Sequence, residues 1–535
     1  MKIMSMRSCS FRFIAVLVLL LLITVVKPSY AQHGKTGSWG DQGNGFYKNP
    51  ILNADYSDPD VIRVGENFYM VCSDFHFMGM PVLKSTDLVN WTIIGQVYHR
   101  LDINEKYNTM QKYGSGSWAP SIRFHNGLFY VYFCTPDEGL YMSTASDPAG
   151  KWSHLTEVKR TGGWEDPCPF WDDNGLAYLG HSRLGAGPII VHKMSNDGRH
   201  LLDSGMTVYN GPVAEGTKFY KRNGYYYLII PEGGVGTGYE TALRAKNIYG
   251  PYERKVVLEQ GKTAINGPHQ GGLVELQSGE SWFIHFQDAG AIGRITHLEP
   301  VKWVDDWPLI GIDNDNNGIG EPVSTWPKPK VNNGSRVITA PQTTDEFNST
   351  KLGLQWQWNH NPDDSKWSLS SSKGYLSLTA MHAVDNKHAR NTITQKLMGK
   401  YGIITTLLKT DEMDIGQKAG LCLLGQNIQE IGLFKTDSAT HLFANNNGKI
   451  SNGKVINEDH IFLRIIVNLN TNHTILQYSL DGHSFYQLGD ECILANSNYW
   501  KAVRPGLFSY NVDQGSGTAL FDWFHYQYDG PLGGL

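Results

Sequence analysis

The chain is 535 residues long, too long for a single hydrophobic core, so two domains or more are expected. Its formal net charge of −5 argues against a nucleic-acid or membrane-surface binder. Charged residues are sparse at 18 %, while 58 Gly, 27 Tyr and 15 Trp suit an all-β protein with many turns and fit a disordered chain poorly.

Residues 1–31 read as a secretory signal peptide. Lys2, Arg7 and Arg12 precede an apolar run from Phe13 to Val26, and Ser29-Tyr30-Ala31 offers small residues for cleavage. The run is short for a membrane span of ~20 residues, and Cys9 precedes it, misplaced for lipid attachment. The mature chain is expected to be exported, periplasmic or extracellular, with no membrane insertion. Cys72, Cys134, Cys168, Cys422 and Cys492 then remain, an odd number that leaves at least one free thiol, with no CxxC spacing for zinc. Cys72 and Cys134 sit in apolar strand patterns and are expected in the core.

Five segments share a turn glycine or asparagine followed by a short aromatic strand: GENFYMVC, NGLFYVYFC, NGLAYLGH, NGYYYLII and GESWFIHF. They recur at roughly fifty to sixty residues, a period of propeller blades, and each interval is long enough for four strands. Helical spacing of apolar residues is not sustained anywhere in this region. A five-bladed β-propeller is therefore expected over residues 45–311, with a generic β-sandwich as the alternative. GGVGTG (233–238) resembles a phosphate loop but leads into no βαβ unit, so it reads as a blade turn.

Residues 312–340, rich in Asn, Gly and Pro, read as a linker. Asp313, Asp315, Asn317 and Gly318 match the start of a calcium loop, but Ser324 stands where a bidentate Glu belongs, which favours a polar turn over a structural calcium. From 341 to 535 the β pattern resumes, as in HIFLRIIVNL and ALFDWFHYQY, and indicates an antiparallel β-sandwich. Such a domain can bind carbohydrate, wall the pocket of the first domain, or simply pack against it.

Three acids occupy comparable places in the repeats. Asp58 lies in YSDPDVIRVGENFYM, Asp166 in GWEDPCPFWDDNGLAYLG and Glu215 in VAEGTKFYKRNGYYYLII. A propeller funnel brings such residues together. Glycosidic hydrolysis needs one carboxyl to protonate the leaving oxygen and another to act at the anomeric carbon, and a third negative charge raises the pKa of the acid. Phe75 in SDFHFMGM and Trp118 in GSGSWAPSIR can stack on sugar faces or pack in the core. Arg294 and His269 can hydrogen-bond hydroxyls or the carboxylates.

The ordered motifs ADYSDPDVIRVGENFYM, WAPSIRFHNGLFYVYF, WEDPCPFWDDNGLAYLG, AEGTKFYKRNGYYYLI and GPHQGGLVE resemble glycoside hydrolase family 43 over about residues 45–310. The region 340–535 resembles the concanavalin-like (jelly-roll) sandwich of its β-xylosidase-type members. The resemblance implies a five-bladed propeller and inversion of configuration, with Asp58 as general base, Glu215 as general acid and Asp166 tuning the acid's pKa and orientation. It also implies a sugar subsite shaped by Phe75, Trp118, His269 and Arg294. No cofactor is required, although some members hold a calcium or other ion near the equivalent of His269. Asp60 occupies a position commonly held by Ser and receives no role. The expected activity is exo-acting release of terminal α-L-arabinofuranose from plant cell-wall arabinoxylan, arabinan or xyloglucan, with β-D-xylosidase as the alternative. A carbohydrate-binding propeller without catalysis is the alternative of another class.

Overall fold

The computed structural model describes Met1, residues 37–332, 334, 337–495 and 502–535; the segment read as a signal peptide lies outside these, apart from Met1. Five antiparallel four-stranded sheets follow one another in the chain. The first blade comprises Asp60–Val64, Asn67–Val71, Pro81–Ser85 and Thr92–Gln96. The second opens with Trp118–His125 and Leu128–Thr135, the third with Trp164–Trp171 and Ala177–Arg183. Lys218–Arg222 and Tyr225–Glu232 open the fourth, and His269–Glu275 and Ser281–Asp288 the fifth. Asn126-Gly127 and Asn223-Gly224 have positive φ at both residues, the backbone of a two-residue hairpin whose twist matches its strands.

The aromatic segments of the repeat are the second strands of their blades. Each is packed on both faces, so it reads as a nearly continuous apolar run, as in Leu128–Thr135. The first strands, ahead of the turn, meet one another around the axis: the first blade's strand lies against those of the second and fifth blades. Close approach there requires Gly272, because a Cβ would come within 2.8 Å of the Val61 backbone nitrogen.

Ile51 and Leu52 pair with Thr296 of the fifth blade and join the start of the propeller to its end. The Asn- and Pro-rich segment also folds back onto the propeller, since Thr325–Pro327 pairs with Phe46–Lys48. Within it Asp313 accepts the N–H groups of Asn317 and Gly318, one on each carboxylate oxygen, which closes a polar turn.

The C-terminal region forms two eight-stranded sheets. His460–Asn468 alternates buried and half-buried residues, with Ile461, Leu463, Ile465 and Val467 turned to the core. Buried cross-domain polar contacts fix this sandwich to the first blade. Asp74 Oδ1 accepts from Lys396 Nζ at 2.7 Å and from Arg504 Nη2 at 3.0 Å. Asp55 accepts the N–H of Arg294 on one oxygen and that of Ala502 on the other, each at 3.0 Å. Cys72, Cys134, Cys168, Cys422 and Cys492 are all free and buried.

Candidate active site

Every first strand enters the propeller through one residue in the left-handed region: Asp58 (φ 52°), Ala119 (38°), Asp166 (56°), Gly216 (63°) and Gln270 (38°). For an L-residue this conformation costs about 1–2 kcal/mol, least for the short polar Asp. In three blades the ladder register slips at the same place, between Trp118 and Ser121, Glu165 and Cys168, and His269 and Gly271. A kink of this kind breaks the strict in–out alternation of a strand and re-aims its side chains. Two successive residues per blade can thereby face the axis. The ring that results is Ser57-Asp58, Trp118-Ala119, Glu165-Asp166, Glu215-Gly216 and His269-Gln270.

Apart from Ser57 and Gly216, this ring, with Phe75 and Arg294, walls a cavity of about 540 Å³. All seven residues singled out from the sequence line it. Asp58 is pinned on both oxygens. Arg294 Nη1 donates to Oδ1 at 2.8 Å, and the hydroxyls of Ser57 and Ser73 donate to Oδ2 at 2.8 and 2.5 Å. The guanidinium stands over the Phe286 ring, 4.7 Å from its centroid. Phe75 and Trp118 meet edge to face with centroids 6.0 Å apart, both at the cavity wall.

Glu215 belongs to a different setting. Its Oε1 lies 2.9 Å from His269 Nε2, and carboxylate oxygens of Glu215, Asp166 and Glu165 lie within 4.8 Å of one another. Asp58 is not in this cluster. Asp166 Oδ2 accepts from Ser182 Oγ at 2.8 Å and from the Gly216 N–H at 2.7 Å, so it grips the backbone immediately after Glu215. Gln270 Nε2 donates to its other oxygen at 3.2 Å. Burial and the charge of Glu215 push Asp166 up to about 6. Burial and the charge of Asp166 push Glu165 up to about 9.

Sequence reading passed over Glu165, Gln270, Ser57 and Ser73. The signal for Glu165 was its place beside Asp166 in WEDPC, but an alternating strand would turn adjacent residues to opposite faces. For an ion near His269 the residues give a partial fit. His269 Nδ1 is buried without a partner among the described residues, yet no cluster of three possible ligands there includes it. One nitrogen falls short of the six to eight oxygens a calcium ion takes.

The family profile for glycosyl hydrolases family 43 matches residues 47–308, and the profile for the beta-xylosidase C-terminal concanavalin A-like domain matches residues 344–527. A Xylanibacter ruminicola protein provisionally named a beta-xylosidase is 52 % identical over 483 residues, 90 % of this chain and 89 % of its own. The non-reducing end alpha-L-arabinofuranosidase BoGH43B of Bacteroides ovatus is 32 % identical over 64 % of this chain and 66 % of its own. A solved family 43 glycoside hydrolase, engineered to display both endo-xylanase and exo-arabinofuranosidase activity, superposes with a TM-score of 0.81 at 28 % identity. It covers 90 % of this chain and 99 % of its own.

Proposed function

This chain belongs to glycosyl hydrolases family 43 and is a glycosidase, and from that premise we propose that it is an exo-acting, inverting hydrolase of terminal pentosyl residues on plant cell-wall glycans. One observation carries the division of roles. Asp58 meets a guanidinium and two hydroxyls that all donate to it, whereas Glu215 shares a crowded carboxyl cluster with Asp166 and Glu165. The first setting fixes both oxygens of a carboxylate beside the space for an attacking water, and the second surrounds Glu215 with two carboxyls, Asp166 and Glu165, that burial and neighbouring charge push up.

In the reaction, Asp58 accepts a proton from the attacking water as its oxygen bonds to the anomeric carbon. Glu215 gives its proton to the glycosidic oxygen, the bond from that oxygen to the anomeric carbon breaks, and the sugar leaves with inverted configuration. Asp166 orients Glu215 through the Gly216 N–H, and His269 holds its Oε1. Phe75 and Trp118 offer ring faces and edges to the sugar. The proton transfers are carried by carboxyl groups alone. Export to the periplasm or beyond is part of the proposal, supported by the basic and then apolar N-terminal sequence.

Between the two pentoses, the whole-length relative at 52 % identity weighs toward β-D-xylose. The second reading, α-L-arabinofuranose from arabinoxylan, arabinan or xyloglucan, is favoured by the Bacteroides ovatus relative. Hydrolysis of the 4-nitrophenyl β-D-xylopyranoside and α-L-arabinofuranoside, compared side by side with product anomers followed by NMR, tests both. Faster turnover of the xyloside with inverted product is expected. Preference for the arabinoside moves the sugar and keeps the mechanism; retained configuration overturns the roles of Asp58 and Glu215.

A further inference from the structure

Glu165 occupies in the third blade the ring position that Glu215 occupies in the fourth, one residue ahead of the left-handed residue. It is 5 % exposed and lines the cavity. Among the described residues its carboxyl takes part in one hydrogen bond, accepted by Oε1 from the Ala186 N–H at 3.0 Å. No cation among the described residues pairs with it, since Arg294 and His269 pair with Asp58 and Glu215 instead. The charges that bear on it most are negative: Asp166 beside it, Glu215 on the fourth blade and Asp58 on the first. The cations of the site are already committed, since Arg294 faces Asp58 and Lys218 Nζ donates to Ser121 Oγ and the Pro120 carbonyl.

We propose that Glu165 is a specificity-determining residue that stands in the cavity as a neutral carboxyl and donates its O–H to a hydroxyl of the pentosyl residue. Oε1, which accepts from Ala186, acts as the carbonyl oxygen, which leaves Oε2 as the hydroxyl that faces the open space. A carboxyl so buried beside two others keeps its proton at neutral pH, in agreement with the upward displacement of its titration to about 9. A neutral donor also separates a sugar hydroxyl from a hydrogen or a methyl group at that position, because a buried donor left unmet disfavours the wrong ligand. The proposal rests on the reading of Glu215 as general acid.

The test compares Glu165→Gln, Glu165→Leu and Glu215→Gln in the full chain on the preferred 4-nitrophenyl pentoside, with melting curves as a check on folding. Gln keeps one acceptor and one donor without charge, so Glu165→Gln is expected to lose at least about tenfold less kcat/KM than Glu165→Leu. Glu165→Leu is expected to lose about 100-fold, chiefly in KM, as a site built to bond a hydroxyl loses its partner. Pentose binding to Glu215→Gln, measured by calorimetry, should weaken as pH rises toward about 9, since the Glu215 charge no longer helps hold the proton on Glu165, and the Glu165→Gln/Glu215→Gln double variant should lack that step. A Glu165→Gln enzyme below 1 % of wild type would mean that the charged form is required, and sinks the proposal. So does a folded Glu165→Leu enzyme with wild-type KM. If Glu215→Gln instead stays active on an unactivated xylobiose substrate, the underlying acid assignment fails, independently of how the two Glu165 variants behave.

Discussion

Arg294 Nη1 donates to Asp58 Oδ1 across 2.8 Å, an ion pair whose two side chains are 10 % and 7 % exposed. The two residues are 236 positions apart and belong to the fifth and first blades. The pair closes the ring of the propeller chemically at the point where it is also closed by backbone pairing of Ile51 and Leu52 with Thr296. Arg294→Ala is expected to leave Asp58 in the cavity wall without its orienting partner. Breaking such a pair from one side costs about 3–5 kcal/mol in buried settings. Steady-state kinetics should give kcat/KM lower by about 100-fold or more, and Arg294→Lys should recover only part, because an ammonium lacks the planar guanidinium that stacks over Phe286 while Nη1 donates to both Asp58 and Ser57.

Glu215→Gln should keep the cavity and the sugar contacts and remove the proton donor. A positioned general acid contributes about 10²–10⁴-fold, so kcat on xylobiose should fall by that order. The loss should be far smaller with a leaving group that needs no protonation, such as a dinitrophenolate. Equal losses on both substrates would contradict the acid role.

Asp166→Asn acts on the same centre from behind. The variant keeps one oxygen to accept from both the Gly216 N–H and Ser182 Oγ but presents an NH2 to Gln270, whose Nε2 can no longer donate there. Crystal or solution structures should show the Glu215 backbone shifted only slightly, while the pH–rate profile of kcat/KM changes its acid limb. Asp166 is raised from 3.8 to about 6 by burial and the Glu215 charge, so its removal as a titrating group should be visible between those values.

The raised carboxyls also make stability depend on pH, with a definite sign. A carboxyl whose folded pKa exceeds its unfolded value binds more protons in the native state. Its stabilisation is therefore greatest below the unfolded pKa and is lost as pH rises through the folded one. For Glu165 the window runs from 4.5 to about 9, and for Asp166 from 3.8 to about 6. Thermal unfolding of wild type against Glu165→Gln should show little difference at pH 5 and a higher melting temperature for the variant at pH 9.

The contact between Asp74 and the sandwich gives a prediction about architecture. Lys396 is 6 % exposed, and Arg504 and Asp74 are fully buried, with the Arg504 guanidinium stacked 3.7 Å from the Phe77 ring centroid. Phe75 follows Asp74 directly, so the sandwich braces the loop that carries a wall of the cavity. Arg504→Ala should destabilise the chain by less than about 3–5 kcal/mol, the cost of a wholly unpaired buried charge, because Lys396 still meets Asp74, and Asp74→Asn added to it should cost more by leaving buried Lys396 without its carboxylate. Denaturant unfolding of the two variants decides the point.

Much of this protein was legible in the residues themselves. The Asn-Gly hairpins, the aromatic runs after them and the spacing of the five repeats determine blades, because turn chemistry and strand composition act locally. The convergence of Asp58, Asp166 and Glu215 followed from the repeat, and the resemblance to family 43 supplied their expected roles. Tertiary structure alone decided which strand of each blade is innermost, since the packed second strand is the more apolar and reads as the more central. It alone turned Glu165 and Asp166 together to the axis, through a left-handed residue that suspends the alternation of side chains. It also brought Lys396 and Arg504 from the second domain onto Asp74, more than 300 residues away in the chain. Local sequence determines turns and strand faces because those depend on neighbouring dihedral angles; which charges meet in a buried site depends on closure of the whole ring, which no local pattern encodes.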